Sequence, residues 1–156
     1  MGQDDTKHNL LFISKYPEII HEFTDAMKDR DIEIETAING IEAAAKIKKK
    51  NYDIVITGLS LEGYNGEQII TYLNKTAPST VCIIYTTTIS SAQLHFFINE
   101  RNVFRVFLRP VDFRGAFWEA LEEAYEYHAV QVKNEEDTGA RRQEQEKQER
   151  EIEIMD

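Results

Sequence analysis

The sequence contains a single cysteine, which excludes a disulfide within the chain. Cys82 lies in an apolar run at residues 81–85, a setting typical of a small core residue in a reducing compartment. The sequence also has no uncharged apolar run of about 18 residues, the length that a membrane-spanning helix requires. Its polar first nine residues lack the apolar core of a signal peptide. We therefore expect a cytoplasmic protein with no membrane-embedded segment.

Positive charge is scarce. The chain has 18 lysines and arginines against 28 aspartates and glutamates, which gives a formal net charge of −10. A chain with this excess of negative charge repels phosphodiester backbones and anionic lipid surfaces. The composition therefore disfavours nucleic acid and membrane surfaces as partners.

Glycine-rich phosphate-binding loops are also absent. Neither the dinucleotide-binding fingerprint nor the P-loop pattern occurs, and the segment at residues 14–17 lacks the glycine expected of a flavin-phosphate loop. Ser60 and Thr86 have no obvious histidine partner that would make either a nucleophile, and the four histidines show no metal-ligand spacing. These absences predict no cofactor, no metal site and no catalysis.

The sequence does contain five short apolar runs of strand length, each followed by a segment whose apolar residues recur at helical spacing. The runs lie at residues 9–13, 32–34, 54–56, 81–85 and 103–108. Strands and helices that alternate with short connections predict an α/β protein. We expect a flavodoxin-like (βα)5 fold, a doubly wound parallel sheet with strand order 2-1-3-4-5, extended by a C-terminal helix or charged tail.

The fourth helix is expected at residues 92–101, and the fifth is expected to begin near residue 111 or 112. The apolar stripe of the fifth helix consists of residues three or four apart: Phe113, Phe117, Leu121, Ala124 and His128. Residues 134–139 break this pattern, and residues 141–151 contain no apolar residue. The expected organisation is a mobile lead at 1–8, a domain at 9–129, and a charged linker or partly helical tail at 130–156. Plain disorder of the tail stays open.

Small or polar residues follow several strands at the edge where such a sheet binds ligands. That edge is formed by the carboxyl ends of the strands, near the switch point between strands one and three. The candidate residues are Ser14, Lys15, Gly58, Thr86 and Arg109. Asp53 precedes the third run, so we expect it at the opposite edge of the sheet.

Several motifs recur in a fixed order along the chain. They are residues 39–44 running into 52–55, then Leu61, Gly63 and Gly66 after the third strand, Thr86 after the fourth, and Arg109-Pro110 after the fifth. In this order and spacing, residues 9–129 resemble the receiver domain of bacterial response regulators, the module that accepts phosphate in two-component signal transduction.

The resemblance implies a degenerate receiver, or pseudo-receiver. Gly58 stands where the family's phosphate-accepting aspartate ends the third strand. Ser14-Lys15 replaces the paired carboxylates that bind magnesium together with that aspartate, and Arg109 replaces a lysine that contacts the phosphate. The resemblance therefore implies a module that acts without phosphorylation.

Two interpretations of this pocket stay open. In the first, the pocket is vestigial: Lys15 points to solvent, and Arg109 makes a local salt bridge. In the second, Lys15, Arg109 and Thr86 form an anion pocket. The backbone at Gly58 also forms part of this anion pocket. The ligand of the pocket is a carboxylate, a phosphate or Glu62 folded back from the loop.

A further departure concerns signal output. Val106 stands where receivers commonly carry an aromatic switch residue, which implies that the relay to the face of helix 4, strand 5 and helix 5 is missing. Consecutive residues of one helix cannot all face the core, and aromatic residues are enriched at interfaces. The candidate contacts on this face are His95, Phe96, Phe97, Val106, Trp118 and Tyr125. The alternative is that Trp118 and Tyr125 only lean over the domain edge.

The sequence therefore predicts an atypical, phosphorylation-independent signalling module that binds a protein partner or dimerises through this face. A downstream output domain beyond the C-terminus would follow the charged tail. The alternative is a small-anion or cofactor-binding flavodoxin-like protein, or an enzyme on the same fold.

Overall fold

The computed structural model describes residues 8–100 and 102–155, with side chains as far as residue 136. Five strands alternate with five helices, as predicted. The elements are β1 (His8–Ile13), α1 (Pro17–Met27), β2 (Ile32–Ala37), α2 (Gly40–Lys49), β3 (Ile54–Thr57), α3 (Gly66–Thr76), β4 (Val81–Thr86), α4 (Ser91–Ile98), β5 (Val103–Leu108) and α5 (Ala116–Met155).

The five strands form one parallel sheet in the order β2-β1-β3-β4-β5, which confirms the predicted topology. All four residues of β3 are buried, because helices cover both faces of the sheet at its centre. Strand β2 is an edge strand and carries charge. Its Glu33 and Glu35 both bind Lys50, and charged side chains on an edge strand discourage pairing with another chain.

Alternate residues along the strands build two cores, one on each face of the sheet. On one face α1 and α5 pack against the sheet, with Phe12 stacked on Phe23 at 4.2 Å between ring centroids. On the other face α2, α3 and α4 surround a second cluster that includes Cys82. Cys82 is buried, as predicted, and burial raises the pKa of its thiol.

Two glycines fix the loop between β3 and α3, which borders the candidate pocket. A Cβ atom at Gly40 would collide with the Tyr64 carbonyl, and one at Gly66 would collide with the Gly58 carbonyl. The first turn of α3 is closed by a capping box in which Asn65 and Gln68 bind each other's backbone N–H groups. These contacts hold the loop close to the carboxyl end of the sheet.

The boundaries of α4 and α5 differ from the prediction. Helix α4 ends at Ile98, because the chain then turns to bring the Asn102 carbonyl to the Cys82 N–H at 2.7 Å. Helix α5 begins only at Ala116, because the Asp112 carboxylate accepts a hydrogen bond from the Arg114 N–H and stabilises a turn first.

Helix α5 also continues to Met155 through residues 134–139, where a break was expected. One glycine within a helix costs only about 1 kcal/mol. The sequence beyond it places opposite charges four residues apart, as at Arg142 and Glu146, and such pairs support a solvated helix. The division of the chain at residue 130 stays a prediction.

At the other terminus, His8 is the first residue of β1 and pairs in register with Ile32 rather than belonging to the lead. The rest of the expected mobile lead, residues 1–7, lies outside the described residues. Within the described chain, no helix combines the length and the apolar character needed to cross a membrane.

Candidate functional site

A pocket of about 240 Å³ opens at the carboxyl edge of the sheet. Its walls come from the ends of β1, β3, β4 and β5 and from the loops that follow these strands. All five candidate residues, Ser14, Lys15, Gly58, Thr86 and Arg109, line it. The lining also includes residues that the sequence did not single out as site residues, among them Tyr16, Glu67, Tyr85 and Gln93.

Gly58 follows the last residue of β3, and its N–H donates to the Ile13 carbonyl at 3.1 Å. A Cβ atom at Gly58 would lie 3.7 Å from the Tyr85 carbonyl oxygen and 4.0 Å from that of Ile13, which is ordinary van der Waals contact. Its φ angle is not positive. The fold therefore accepts a side chain at Gly58, so the missing side chain is a chemical property of the pocket rather than a requirement of the backbone.

Lys15 and Ser14 follow β1 and differ in exposure. Ser14 is buried, and its Oγ accepts a hydrogen bond from the Tyr16 N–H at 3.2 Å. Lys15 is exposed, and its Nζ donates to Ser60 Oγ at 3.3 Å. Lys15 Nζ also lies 5.3 Å from the centroid of the Tyr16 ring, within reach of a cation–π interaction.

Arg109 follows β5 and is half-buried. Its guanidinium carbon lies 4.8 Å from the centroid of the Tyr16 ring and 5.9 Å from that of Tyr85, and the peptide bond to Pro110 is cis. Burial raises the pKa of the Tyr85 hydroxyl, although the positive charge of Arg109 acts against this shift. Among the described residues, no carboxylate lies within ion-pair distance of Lys15 or Arg109. The local salt bridge expected for Arg109 is therefore not formed with any of them.

Two further polar side chains of the pocket, Thr86 and Glu67, form hydrogen bonds with other residues that line it. Thr86 Oγ1 donates to the Thr88 carbonyl at 3.2 Å. Glu67 is the acidic side chain among the described lining residues, and its Oε1 accepts a hydrogen bond from Gln93 Nε2 at 3.2 Å. Glu62 is exposed and lies outside the lining, so its carboxylate does not fold back onto Lys15.

Metal ligands are not clustered at this pocket. Within the part of the chain that the structure describes, no group of three or more histidine, cysteine, aspartate or glutamate side chains is arranged to hold a metal ion. Lys15 and Arg109 occupy the walls where a cation would have to approach. Among the described residues that line the pocket, two are therefore cationic, Lys15 and Arg109, and one is a carboxylate, Glu67.

Residues 11–115 match the sequence profile of the response regulator receiver domain. The chain belongs to this family. A search of curated protein sequences found no significant match to the chain.

Solved receiver domains share the fold. The signal receiver domain of an HD domain-containing protein from Pseudomonas fluorescens Pf-5 superposes with a TM-score of 0.75 at 19% identity, covering 80% of this chain and 98% of that one. The CheY-like receiver domain protein from Methanospirillum hungatei JF-1 gives 0.73 at 18% identity, covering 80% and 99%. A structure described as adenylate cyclase from Rhodopirellula baltica gives 0.76 at 19% identity, covering 85% and 98%. At these identities the likeness shows the fold alone.

The six residues expected on one interaction face of this receiver domain are not brought together. Phe97 is buried in the cluster under α2, α3 and α4, whereas Phe96 is 36% exposed and His95 is exposed. Tyr125 is buried on the opposite face of the sheet, and its hydroxyl donates to the Asn9 carbonyl at 2.9 Å. Neither Phe97 nor Tyr125 therefore offers its ring to a partner.

Trp118 and Val106 are half-buried, on opposite faces of the sheet. The Arg30 guanidinium covers the Trp118 ring at 4.2 Å from the centroid. Phe104 and Phe107, the neighbours of Val106, pack against the α5 side of the sheet, so neither takes the place of Val106 on the α4 side.

Large exposed apolar side chains lie instead on α4 and at the end of β5. Leu94 is 42% exposed, Ile98 73% and Leu108 53%. These aliphatic residues were not predicted, because aromatic residues were favoured as interface contacts. The signal was present, because the apolar residues of the short helix α4 lie on more than one side of it and cannot all face the core.

Proposed function

We propose that this receiver domain is a degenerate form that signals without phosphorylation. One observation carries the proposal: Gly58, directly after β3, lines the pocket at a position with room for a Cβ atom, yet it has no group to accept phosphate. Gly58 is assigned to the position of the phosphate-accepting aspartate because of the motif order around it.

The charges around Gly58 support the proposal. Magnesium is held by oxygen ligands, usually including one or more carboxylates. The residues that follow β1 are Ser14 and Lys15, and Arg109 lines the same pocket, so two positive charges oppose a divalent cation. Glu67 is a single carboxylate and is hydrogen-bonded to Gln93. Without bound magnesium, phosphoryl transfer to this pocket loses its main source of charge neutralisation.

We propose further that the module acts through protein contacts, by homodimerisation or by binding a partner through α4, β5 and α5. Leu94 and Ile98, which lie one helical turn apart on α4, and Leu108 at the end of β5 support this, because large exposed apolar side chains are typical of interaction sites. Val106, beneath α4, is not aromatic. In this proposal the surface therefore keeps one conformation and is not changed by an aromatic switch residue. An output domain beyond the C-terminus would follow helix α5.

In this proposal the module belongs to bacterial two-component signalling, resides in the cytoplasm and catalyses no reaction. The membership of the receiver family supports this assignment.

The test is an amide spectrum of the full chain recorded with and without beryllofluoride and magnesium, and again with acetyl phosphate and magnesium. We expect no specific, saturable shift at the amides of Gly58 or Thr86. A phosphorylatable receiver domain treated in parallel serves as the positive control. Saturable magnesium-dependent shifts at these two amides would show that the pocket still accepts a phosphoryl group and would overturn the proposal.

A further inference from the structure

The positive side of the pocket has no counterion among the residues that the structure describes. Lys15 Nζ and the Arg109 guanidinium both lie against the Tyr16 ring, 5.3 Å and 4.8 Å from its centroid. Five other described lysines and arginines do have carboxylate partners: Lys28, Lys46, Lys50, Arg105 and Arg114. Lys15 and Arg109 therefore bring two cations without such a partner to one pocket, in a chain whose net charge is −10.

The pocket also presents hydrogen-bond donors that protein acceptors do not use. Lys15 Nζ donates one of its three N–H groups to Ser60 Oγ. Because Ser60 Oγ is the acceptor in this hydrogen bond, its own hydroxyl proton is available to a ligand. Arg109 offers a planar fork of N–H groups, which matches the oxygens of a carboxylate or a phosphate. Thr86 does not belong to this donor set, because its hydroxyl already donates to the Thr88 carbonyl.

We propose that this pocket binds a small oxyanion, a carboxylate or phosphate group, without a covalent bond and without magnesium. Lys15 and Arg109 neutralise its charge, and Ser60 donates to one of its oxygens. A cavity of about 240 Å³ accommodates a group of this size. Binding an anion goes beyond the proposed function, which requires only that no phosphoryl group be attached to the chain.

The negative charge of Glu67 should lower the affinity of the pocket for an oxyanion. This carboxylate lines the same pocket and repels an incoming anion, while Gln93 Nε2 holds its Oε1 at 3.2 Å. A glutamine at this position keeps an oxygen that can accept the Gln93 hydrogen bond but carries no charge. Affinity for an oxyanion is therefore expected to rise when Glu67 is neutralised and to fall when Lys15 or Arg109 is neutralised.

The experiment is a titration of the full chain, followed by amide spectra, with sodium phosphate and separately with sodium acetate. Both are run in EDTA and compared with sodium chloride at matched ionic strength. We expect saturable shifts at the amides of Lys15, Gly58 and Ser60 with at least one oxyanion. Saturation by phosphate alone indicates a free phosphate group as the natural ligand, and saturation by acetate indicates a carboxylate. Shifts that match those of chloride mean charge screening only and overturn the proposal.

Matched variants sharpen the result. Lys15→Gln and Arg109→Gln should each weaken binding roughly tenfold or more, because each removes a charge-assisted hydrogen bond. Glu67→Gln should strengthen it a few-fold. Lys49→Gln removes the same charge from an exposed site on α2 and should leave affinity unchanged. Equal weakening by Lys15→Gln and Lys49→Gln would overturn the proposal, and the exposed position of Lys15 keeps this comparison valid if Arg109→Gln fails to fold.

The chelator separates this proposal from the proposed function. A protein that responds to beryllofluoride with magnesium but not to phosphate in EDTA contradicts both. A protein that binds neither leaves the phosphorylation-independent function standing and contradicts only the anion site.

Discussion

His128 Nε2 on α5 lies 3.1 Å from Asp53 Oδ1, next to the amino end of β3. The other ring nitrogen, Nδ1, lies 2.8 Å from the Ser79 carbonyl oxygen. Both partners are acceptors, so the ring satisfies both contacts only when it carries two protons. The pair ties the last helix of the receiver domain to its central strand, at the edge of the sheet opposite the pocket.

Stability should depend on pH through this pair. The hydrogen bond to Asp53 raises the pKa of His128 above its ordinary value of 6.5, although burial acts against the shift. Burial alone would raise the pKa of Asp53, but hydrogen bonds from His128 and the Asn9 N–H lower it below 3.8. Nearby His8 and Glu135 favour the charged forms of Asp53 and His128 respectively.

The stabilisation is therefore complete between pH 3.8 and pH 6.5. It is lost as the pH rises through the raised pKa of His128, and also as the pH falls through the lowered pKa of Asp53. Urea denaturation across this range should show the contribution of the pair to the free energy of unfolding declining above pH 6.5. A contribution that rises with pH there contradicts the assignment.

Replacing His128 with alanine should lower the free energy of unfolding by about 1–3 kcal/mol at mildly acidic pH, because it leaves the half-buried Asp53 carboxylate without its charged partner. The difference from the wild type should shrink toward alkaline pH. His21→Ala, which removes an exposed histidine from α1, is the matched control and should change stability little at any pH. Equal losses in both variants would mean that the ion pair contributes nothing specific.

The fold was predictable because its signals are local and agree with one another. Continuous apolar runs indicated buried parallel strands, and apolar residues at helical spacing indicated the helices between them. The boundaries that were missed depend on other parts of the chain. Helix α4 stops where Asn102 must reach Cys82, and no pattern within α4 carries that information.

The pocket was predictable in its membership but not in its internal contacts. Strand ends in a parallel sheet of known order must meet, so Ser14, Gly58 and Arg109 converge as a consequence of topology. Which side chains bind one another depends on rotamers and on neighbours such as Tyr16, which spacing does not reveal. For the same reason His128 was placed in the apolar stripe of α5, and its contact with Asp53 went unnoticed.

A carboxylate introduced at Gly58 should stabilise the protein through the unpaired cations. Gly58→Asp and Gly58→Asn have nearly the same shape, and a Cβ atom at this position makes only ordinary van der Waals contacts, so the difference between the two variants isolates the charge. We expect Gly58→Asp to be more stable by about 1 kcal/mol, a gain typical of a partly exposed ion pair. The measurement is urea denaturation at low salt, and high salt should reduce the difference. A less stable Gly58→Asp would show that Lys15 and Arg109 do not favour an anion there.

Gly58→Asp alone should not restore phosphorylation. The added carboxylate meets Lys15 and Arg109 rather than magnesium, because the carboxylates expected after β1 are still missing. Incubation with labelled acetyl phosphate and magnesium should leave the variant unlabelled. Adding Ser14→Asp and Lys15→Asp supplies the missing oxygen ligands and tests magnesium binding directly. Magnesium-dependent labelling of the single variant would contradict the prediction.

Self-association, if it uses the apolar surface of α4 and β5, should fail when a charge is placed on Ile98. This side chain is 73% exposed, and Ile98→Glu would bury a carboxylate without a partner in any interface formed there, which is costly. We expect the dimer dissociation constant from sedimentation velocity to rise roughly tenfold or more. Ile41→Glu makes the same change at a 57% exposed isoleucine on α2, away from that surface, and should leave association unchanged. A wild-type chain that stays monomeric at every concentration would contradict homodimerisation, and equal effects of the two variants would place the interface elsewhere.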